Sequence, residues 1–561
     1  MSSITGAGVS PGRVIGPVLQ MPPAVPEPDA GVGLPAEASV EAETERLKSA
    51  AKAVQAGLKA RAANASGDAA EVLKATALMA ADPMLLKSGA KLLAAGRSTE
   101  RAIWEAAEQV AAQLKALGGY MAERAADVLD VRARVVAELR GVPAPGIPDS
   151  DVPFVLAADD LAPADTATLD PAKVIALVTA GGGPQSHTAI LARALGLPAV
   201  VAAEGVTSIP SGTEVFVDGS AGLVVTEPGE TERSAAAAYA ARGALPAFDG
   251  TGTTADGQLV PLLSNVGDGE GALAAAAAGA EGVGLLRTEF CFLNRDEEPS
   301  FEEQSAAYKA VFDAFPAKKV VVRTLDAGAD KPLPFLTDAT EPNPALGVRG
   351  YRTDKAHPGV LERQLQAIAA AAGQSKAEVW VMAPMISAAS EAAHFAGLCE
   401  AAGLKTPGVM VEVPSAALTA GAILEAVDFA SIGTNDLTQY TMAADRQLGP
   451  LAELTDPWQP AVLQLIKATV DGAAATHQPP KPVGVCGEAA ADPALAVVLV
   501  GLGVNSLSMN ARALSGVAAL LKTVTLEQAK EAARLAVTAD SAETAKAKVR
   551  ANLPMLETLG L

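Results

Sequence analysis

Three regimes of hydrophobic patterning succeed one another along the chain. Between residues 31 and 140 the apolar positions are spread through long Ala/Leu/Lys/Glu stretches, such as 37–65 and 98–138. Good helix formers at that density predict a block of helices. Proline and glycine then cluster in GVPAPGIP, Gly141 to Pro148, which reads as a domain edge. Short β-like runs follow at Phe154–Ala157, Val174–Val178, Val200–Val201, Glu214–Val217 and Leu223–Val225, and they predict an α/β unit.

A Pro/Gly/Thr-rich stretch from Pro246 to Gly257 marks the next boundary, after which the period changes again. Eight apolar runs recur at intervals suited to an intervening helix: Val260–Leu263, Gly282–Leu286, Val320–Val322, Val379–Met382, Val409–Val411, Phe429–Ile432, Pro482–Val485 and Val504–Leu507. Eight strands so spaced predict a (β/α)8 TIM barrel. Active sites of that fold lie beyond the strand C-termini, and there the chain places Asn265; Arg287, Thr288 and Glu289; Arg323 and Asp326; Glu412; Asn435 and Asp436; Cys486 and Glu488; and Ser508 and Asn510. Residues converging from so many strands describe one site for an anionic ligand.

The expected organisation is an α/β multidomain chain. Residues 31–140 form a helical unit, 141–228 an α/β unit, 229–257 a linker and 258–561 the barrel. The 561 residues suit several folding units, and half of them are hydrophobic, enough for sizeable cores. The net charge of −21 and the 3% of aromatic residues argue against nucleic acid and against an acidic membrane surface as partners. Neither a signal peptide nor a run of about 18 apolar residues is evident, so a cytoplasmic protein is expected. Three widely spaced cysteines, Cys291, Cys399 and Cys486, exclude a disulfide framework and a paired-cysteine metal knuckle.

Charge is unevenly distributed, at −1 over residues 1–30, +1 over 31–140 and −21 over 141–561. An acidic chain that binds an anion must gather its positive charge locally, and Arg287, Arg323 and Arg446 are the candidates. Guanidinium forks at strand ends suit a phosphate and neutralise charge that shifts during transfer. Glu412 and Asp436 end consecutive strands and offer hard oxygen ligands for Mg2+. Cys486, in VGVCGE, is a thiol at a strand end that could serve as a general acid. His187 sits in AGGGPQSHTAILAR, where a glycine-rich turn enters a helix; the positive helix end favours a neutral imidazole nucleophile and stabilises a phosphoryl group placed on it. The other histidines, His357, His394 and His477, lack such a setting.

Nine motifs occur in order: VSPG near residue 9, ERAADVLDV from Glu123, GGGPQSHTAILAR around His187, GVGLLRTEF from Gly282, VVRTLDAGADKPLPF from Val321, NPALGVR from Asn343, VMVEVPSAA from Val409, SIGTNDLTQYTMAADR from Ser431 and VCGE at Cys486. In these the chain resembles enzyme I of the bacterial phosphoenolpyruvate:sugar phosphotransferase system, over nearly its whole length. The resemblance implies transfer of the phosphoryl group of phosphoenolpyruvate to Nε2 of His187 and then to a histidine of the carrier protein HPr, with release of pyruvate. It also implies that Thr166 orients the imidazole and that Cys486 protonates the enolate. Arg287, Arg323, Asn435, Asp436 and Arg446 would bind phosphoenolpyruvate, Lys331 and Arg349 would be further phosphate contacts, and Glu412 and Asp436 would hold Mg2+. The resemblance further implies that residues 1–30 and 141–228 form one swivelling phosphohistidine α/β domain into which 31–140 is inserted; the helical insert would dock HPr, and the barrels of two chains would form a homodimer. Two rival functions are a non-catalytic regulatory paralogue that senses phosphoenolpyruvate and a dikinase-type enzyme lacking its ATP domain. The first would have lost catalytic residues that this chain retains; a complete dikinase would need a nucleotide domain, for which the residues before His187 leave no room.

Overall fold

The computed structural model describes residues 2–561 apart from 23–24, 36, 65–75, 118, 149, 162–168, 184–185, 242–244, 294, 328–332, 339, 447, 449–450, 452 and 477–478. Within helices, the side chains of residues 61, 63–64, 115–117, 119–126, 187, 190 and 194 also lie outside the described set.

The first sheet has eight strands: β1 (Ser2–Thr5), β2 (Ala7–Ser10), β3 (Arg13–Gln20), β4 (Phe154–Ala158), β5 (Val174–Thr179), β6 (Ala199–Val201), β7 (Glu214–Asp218) and β8 (Leu223–Thr226). Their spatial order is β1-β8-β7-β3-β4-β5-β6-β2. Strands β3 to β6 run parallel, and β7, β8, β1 and β2 pair antiparallel at the flanks. The five runs read from the sequence become β4 to β8. Strands β1 to β3 were not anticipated, because six glycines and prolines interrupt their alternation between Gly6 and Pro17. Tertiary packing overrides that local reading. Glycine is needed where these strands meet their neighbours: a Cβ on Gly219 would lie 2.0 Å from the Ser10 carbonyl oxygen.

Between β3 and β4 the chain leaves the sheet for four long helices, α1 (Val40–Asn64), α2 (Pro83–Ala94), α3 (Thr99–Leu117) and α4 (Gly119–Arg140). Helix α2 starts where Asp82 accepts from the backbone N–H of Met84 and Leu85 and Pro83 supplies a preset φ at the first helical position. The helices enclose a core that includes Leu47, Leu93, Ile103, Trp104 and Val131. Two further helices follow strands of this sheet. Helix α5 (His187–Leu195) follows β5; helix α6 (Glu230–Ala240) follows β8, so the expected linker opens on a regular helix.

The remaining strands, β9 (Leu262–Val266), β10 (Val283–Arg287), β11 (Lys319–Arg323), β12 (Glu378–Ala383), β13 (Pro407–Val411), β14 (Phe429–Ile432), β15 (Val483–Val485) and β16 (Ser506–Met509), close a barrel. Every pairing is parallel, and β16 returns to β9. Near-continuous apolar runs such as VVVR suit strands buried on both faces. Inside the barrel Leu285, Val321, Met382, Met410, Phe429 and Cys486 form one cluster, while a larger apolar shell joins strands to helices. Register places Arg287 opposite Arg323, so two guanidiniums end adjacent strands.

Candidate active site

Most strands of the barrel stop where polar residues begin, and the closed register gathers those ends into one mouth. Glu412 directly follows β13, Cys486 directly follows β15, and Asn435 and Asp436 open the helix Thr434–Met442 after β14. Asp326, Glu412 and Asp436 are all buried and offer ligand oxygens within 4.8 Å of one another. Asp326 had been noted only as a strand-end polar residue, yet it completes the carboxylate cluster with the two residues the sequence singled out. Its place in VVRTLDAG, three residues after Arg323, was the available signal.

Two arginines balance this charge. Arg323 Nη2 donates to Glu289 Oε1 at 2.8 Å, and its Nη1 lies 3.2 Å from Asp326 Oδ2. Arg349 Nη2 donates to Asp326 Oδ2 at 2.9 Å and Nη1 to Asp436 Oδ1 at 2.8 Å, so one guanidinium spans two carboxylates. Tyr440 accepts from Arg349 Nη1 at 3.3 Å and donates to the carbonyl of Ala345. Burial alone would lower both arginines, but the surrounding carboxylates hold them above their ordinary range. Burial would likewise raise Asp326, and Arg349 and Arg323 outweigh it to hold that carboxyl at about 2. Glu412 goes the other way: burial first, then Asp436 and Asp326, push it up to about 8. Its Oε1 accepts from the Met385 N–H at 2.7 Å, from a backbone held at φ 60, a conformation a non-glycine residue adopts only under constraint from its surroundings.

Arg446 lies at the rim, its Nη1 3.7 Å from Asp436 Oδ2. Arg287 is half-buried and makes no ion pair among the described residues. Cys486 is buried, its Sγ 3.6 Å from the Ile432 carbonyl, and its own carbonyl accepts from Asn265 Nδ2 at 3.0 Å. Burial pushes the thiol up to about 11, against a hydrogen bond from Ser431 that lowers it. Asn435 Oδ1 accepts from the Glu488 N–H at 3.2 Å, which fixes the loop beyond Cys486 to the Asp436 helix.

His187 is the first residue of α5. Ser186 caps that helix by accepting from the Ala189 N–H, and Gly196 closes it in the left-handed region at φ 69. Thr188, fully buried, donates to Asp160 Oδ1 at 2.8 Å and fixes the helix start. Thr166 and Lys331 lie outside the described residues, as does the side chain of His187.

Chemically, the mouth can clamp a multiply charged anion, hold a hard divalent cation between carboxylates, and offer a protonated thiol. The chain matches three family descriptions: PEP-utilising enzyme, N-terminal, over residues 5–124; PEP-utilising enzyme, mobile domain, over 151–222; and PEP-utilising enzyme, PEP-binding domain, over 247–526. It is 53% identical to the phosphoenolpyruvate-protein phosphotransferase of Streptomyces coelicolor, across 98% of this chain and 99% of that protein. It is 40% identical to the phosphoenolpyruvate-protein phosphotransferase of Haloferax volcanii, across 84% of this chain and 83% of that one. Among solved structures, an Enzyme I solution structure is similar at 31% identity and a TM-score of 0.35, covering 42% of this chain and 99% of that one.

Proposed function

The chain belongs to the phosphoenolpyruvate-protein phosphotransferases of the PEP-utilising enzymes, and from that premise we propose that it moves a phosphoryl group from phosphoenolpyruvate to His187 and on to a carrier histidine. The observation that carries this reading is the barrel mouth, where Arg323, Arg349 and Arg446 pair with buried carboxylates, Arg287 stands opposite Arg323 in register, and a buried thiol ends a nearby strand.

Phosphoenolpyruvate binds with its phosphate toward Arg287, Arg323 and Arg446, and Asn435 donates to the anion. Arg349 and Lys331 contribute further phosphate contacts. The neutral imidazole of His187, oriented by Thr166, attacks phosphorus in line: the N–P bond forms as the bond from phosphorus to the enol oxygen breaks. The electron pair stays on that oxygen, giving the enolate of pyruvate. Little covalent chemistry falls to the protein, so positioning and charge neutralisation supply most of the rate. Cys486 donates its proton to C3 of the enolate, and solvent later restores the thiol. Its raised pKa keeps that proton in place at neutral pH. The phosphoryl group then passes from His187 to a histidine of HPr.

Three buried carboxylates of hard oxygen suit a divalent cation better than they suit one another, as the raised Glu412 attests. Glu412 and Asp436 would hold Mg2+, with Asp326 at their side, and when bound the ion neutralises charge on the phosphate and carboxylate of the substrate.

In this reading residues 31–140 dock HPr, residues 1–30 and 141–228 carry His187, 229–257 link them to the barrel, and 258–561 bind phosphoenolpyruvate and pair with a second chain as a homodimer. A cytoplasmic site of action accords with three free cysteines and with the absence, among the described residues, of a helix long and apolar enough to cross a membrane. The sensor and dikinase alternatives are not favoured, because the Streptomyces coelicolor and Haloferax volcanii relatives, aligned over most of this chain, are named as phosphoenolpyruvate-protein phosphotransferases. Labelled phosphoenolpyruvate, Mg2+ and candidate carriers mixed with the protein test the proposal: acid-labile phosphate should reach His187 and then one carrier. Absence of label from the protein would refute it.

A further inference from the structure

The helix that begins at His187 touches the barrel near its other end. Arg193 Nε lies 3.2 Å from Glu488 Oε2, and the two side chains are only 16% and 27% exposed. At about 1.5 Å rise per residue, this contact sits about 9 Å down the axis from His187. Arg193 is also anchored to its own sheet, where Nη1 donates to the Val9 carbonyl at 3.3 Å. Its place in the last turn suits a cation, because helix carbonyls point that way.

On the barrel side Glu488 stands two residues beyond Cys486, and its N–H donates to Asn435 Oδ1. Glu488 therefore connects the His187 helix, through its carboxylate, to the loop of the thiol and, through its N–H and Asn435, to the helix of Asp436. A second approach lies nearby: a Cβ added to Gly196 would come within 3.6 Å of Arg512 Nη1, in the turn Ala511–Ala513 after β16. The loops after β15 and β16 thus both face the C-terminal end of α5.

We propose that the Arg193–Glu488 ion pair seats α5 on the barrel mouth for transfer from phosphoenolpyruvate and opens when His187 turns to the carrier. Arg193 and Glu488 are positioning residues, acting on the reaction only through the groups they hold. A partly exposed pair binds weakly and is screened by salt, which suits a contact made and broken in every cycle. Its value is geometric, since a misplacement of about 1 Å can cost about 100-fold in rate. The inference rests on the reading of His187 as phosphoryl acceptor.

The test uses the full-length protein as wild type, Arg193→Gln, Glu488→Gln and the reciprocal swap Arg193→Glu with Glu488→Arg. Two rates are followed: label entering His187 from phosphoenolpyruvate, and label entering His187 from phosphorylated carrier in the reverse direction. Each single variant should lower kcat for the first at least fivefold with KM for phosphoenolpyruvate unchanged. The carrier reaction should be unaltered, and the swap should regain most of the lost rate. Unchanged phosphorylation in both single variants, a swap no better than the worse single, or a parallel fall in both reactions would overturn the proposal. Failure of the wild type to label at all would instead remove the acceptor reading on which it stands.

Discussion

The guanidinium of Arg349 reaches Asp436, Nη1 to Oδ1, at 2.8 Å, while its other nitrogens hold Asp326. An arginine thus occupies, in charge terms, the place a divalent cation would take between two of three clustered carboxylates. The same side chain serves the substrate phosphate in the proposed reaction, so metal and arginine compete for the acids before they cooperate on the anion.

Replacing Arg349 by Met should therefore destabilise the metal-free protein by about 3–5 kcal/mol, the cost of leaving buried charge without its partner. Added Mg2+ should return most of that loss, raising the thermal midpoint of the variant more than that of the wild type. Equal responses to Mg2+ in the two proteins would contradict this account.

His187→Ala should abolish labelling by radioactive phosphoenolpyruvate while leaving the fold intact, because the helix cap belongs to Ser186 and the buried anchor to Thr188. Acid-labile label persisting on the variant would place the acceptor elsewhere.

Cys486→Ala should bind phosphoenolpyruvate and release pyruvate at least tenfold more slowly, and unchanged turnover would remove the thiol from the reaction. Burial raises its pKa from 9.0 to about 11, so the folded state keeps the proton more tightly than the unfolded chain does. The associated stability is fully present below pH 9 and is lost as pH rises through about 11. Iodoacetamide at pH 8 should spare Cys486 in the native protein and alkylate it in urea, as read by mass spectrometry.

Gly487→Ala should cost about 1–3 kcal/mol through steric overlap alone. The glycine has an ordinary φ of −88, but an added Cβ would lie 1.9 Å from Thr434 Oγ1 and 2.8 Å from the Thr434 nitrogen. Its displacement would shift both Cys486 and Asn435, so phosphorylation of His187 should fall with stability. Chemical denaturation and single-turnover labelling measure the two effects.

The barrel was legible because its strands are continuous apolar runs bounded by helices: all eight appear, with ends displaced by at most two or three residues. Strand ends carry the chemistry in this fold, so Arg287, Arg323, Glu412, Asp436 and Cys486 could be named from position. What the sequence hid was pairing across distance. Nothing in NPALGVR says that Arg349 bridges residues 23 positions before it and 87 after it. Nor does Asp326 announce that it lies beside Glu412, since closure of the barrel brings them together. Strands β1 to β3 were hidden for a different reason, as their glycines and prolines erase the alternation that pairing with β8, β6, β7 and β4 makes unnecessary.

Strands β3 and β4 are parallel neighbours, with Gln20 beside Ala157, and the whole four-helix block is the crossover that joins them. It hangs from the sheet by two adjacent threads, whereas the barrel follows the sheet by one. Two anchor points define an axle and a single one a swivel. Two connections restrict rotation of the helical block against the sheet more than one connection restricts rotation of the barrel. The number of chain crossings sets the covalent limit at each junction, and contacts such as Arg193–Glu488 act within it.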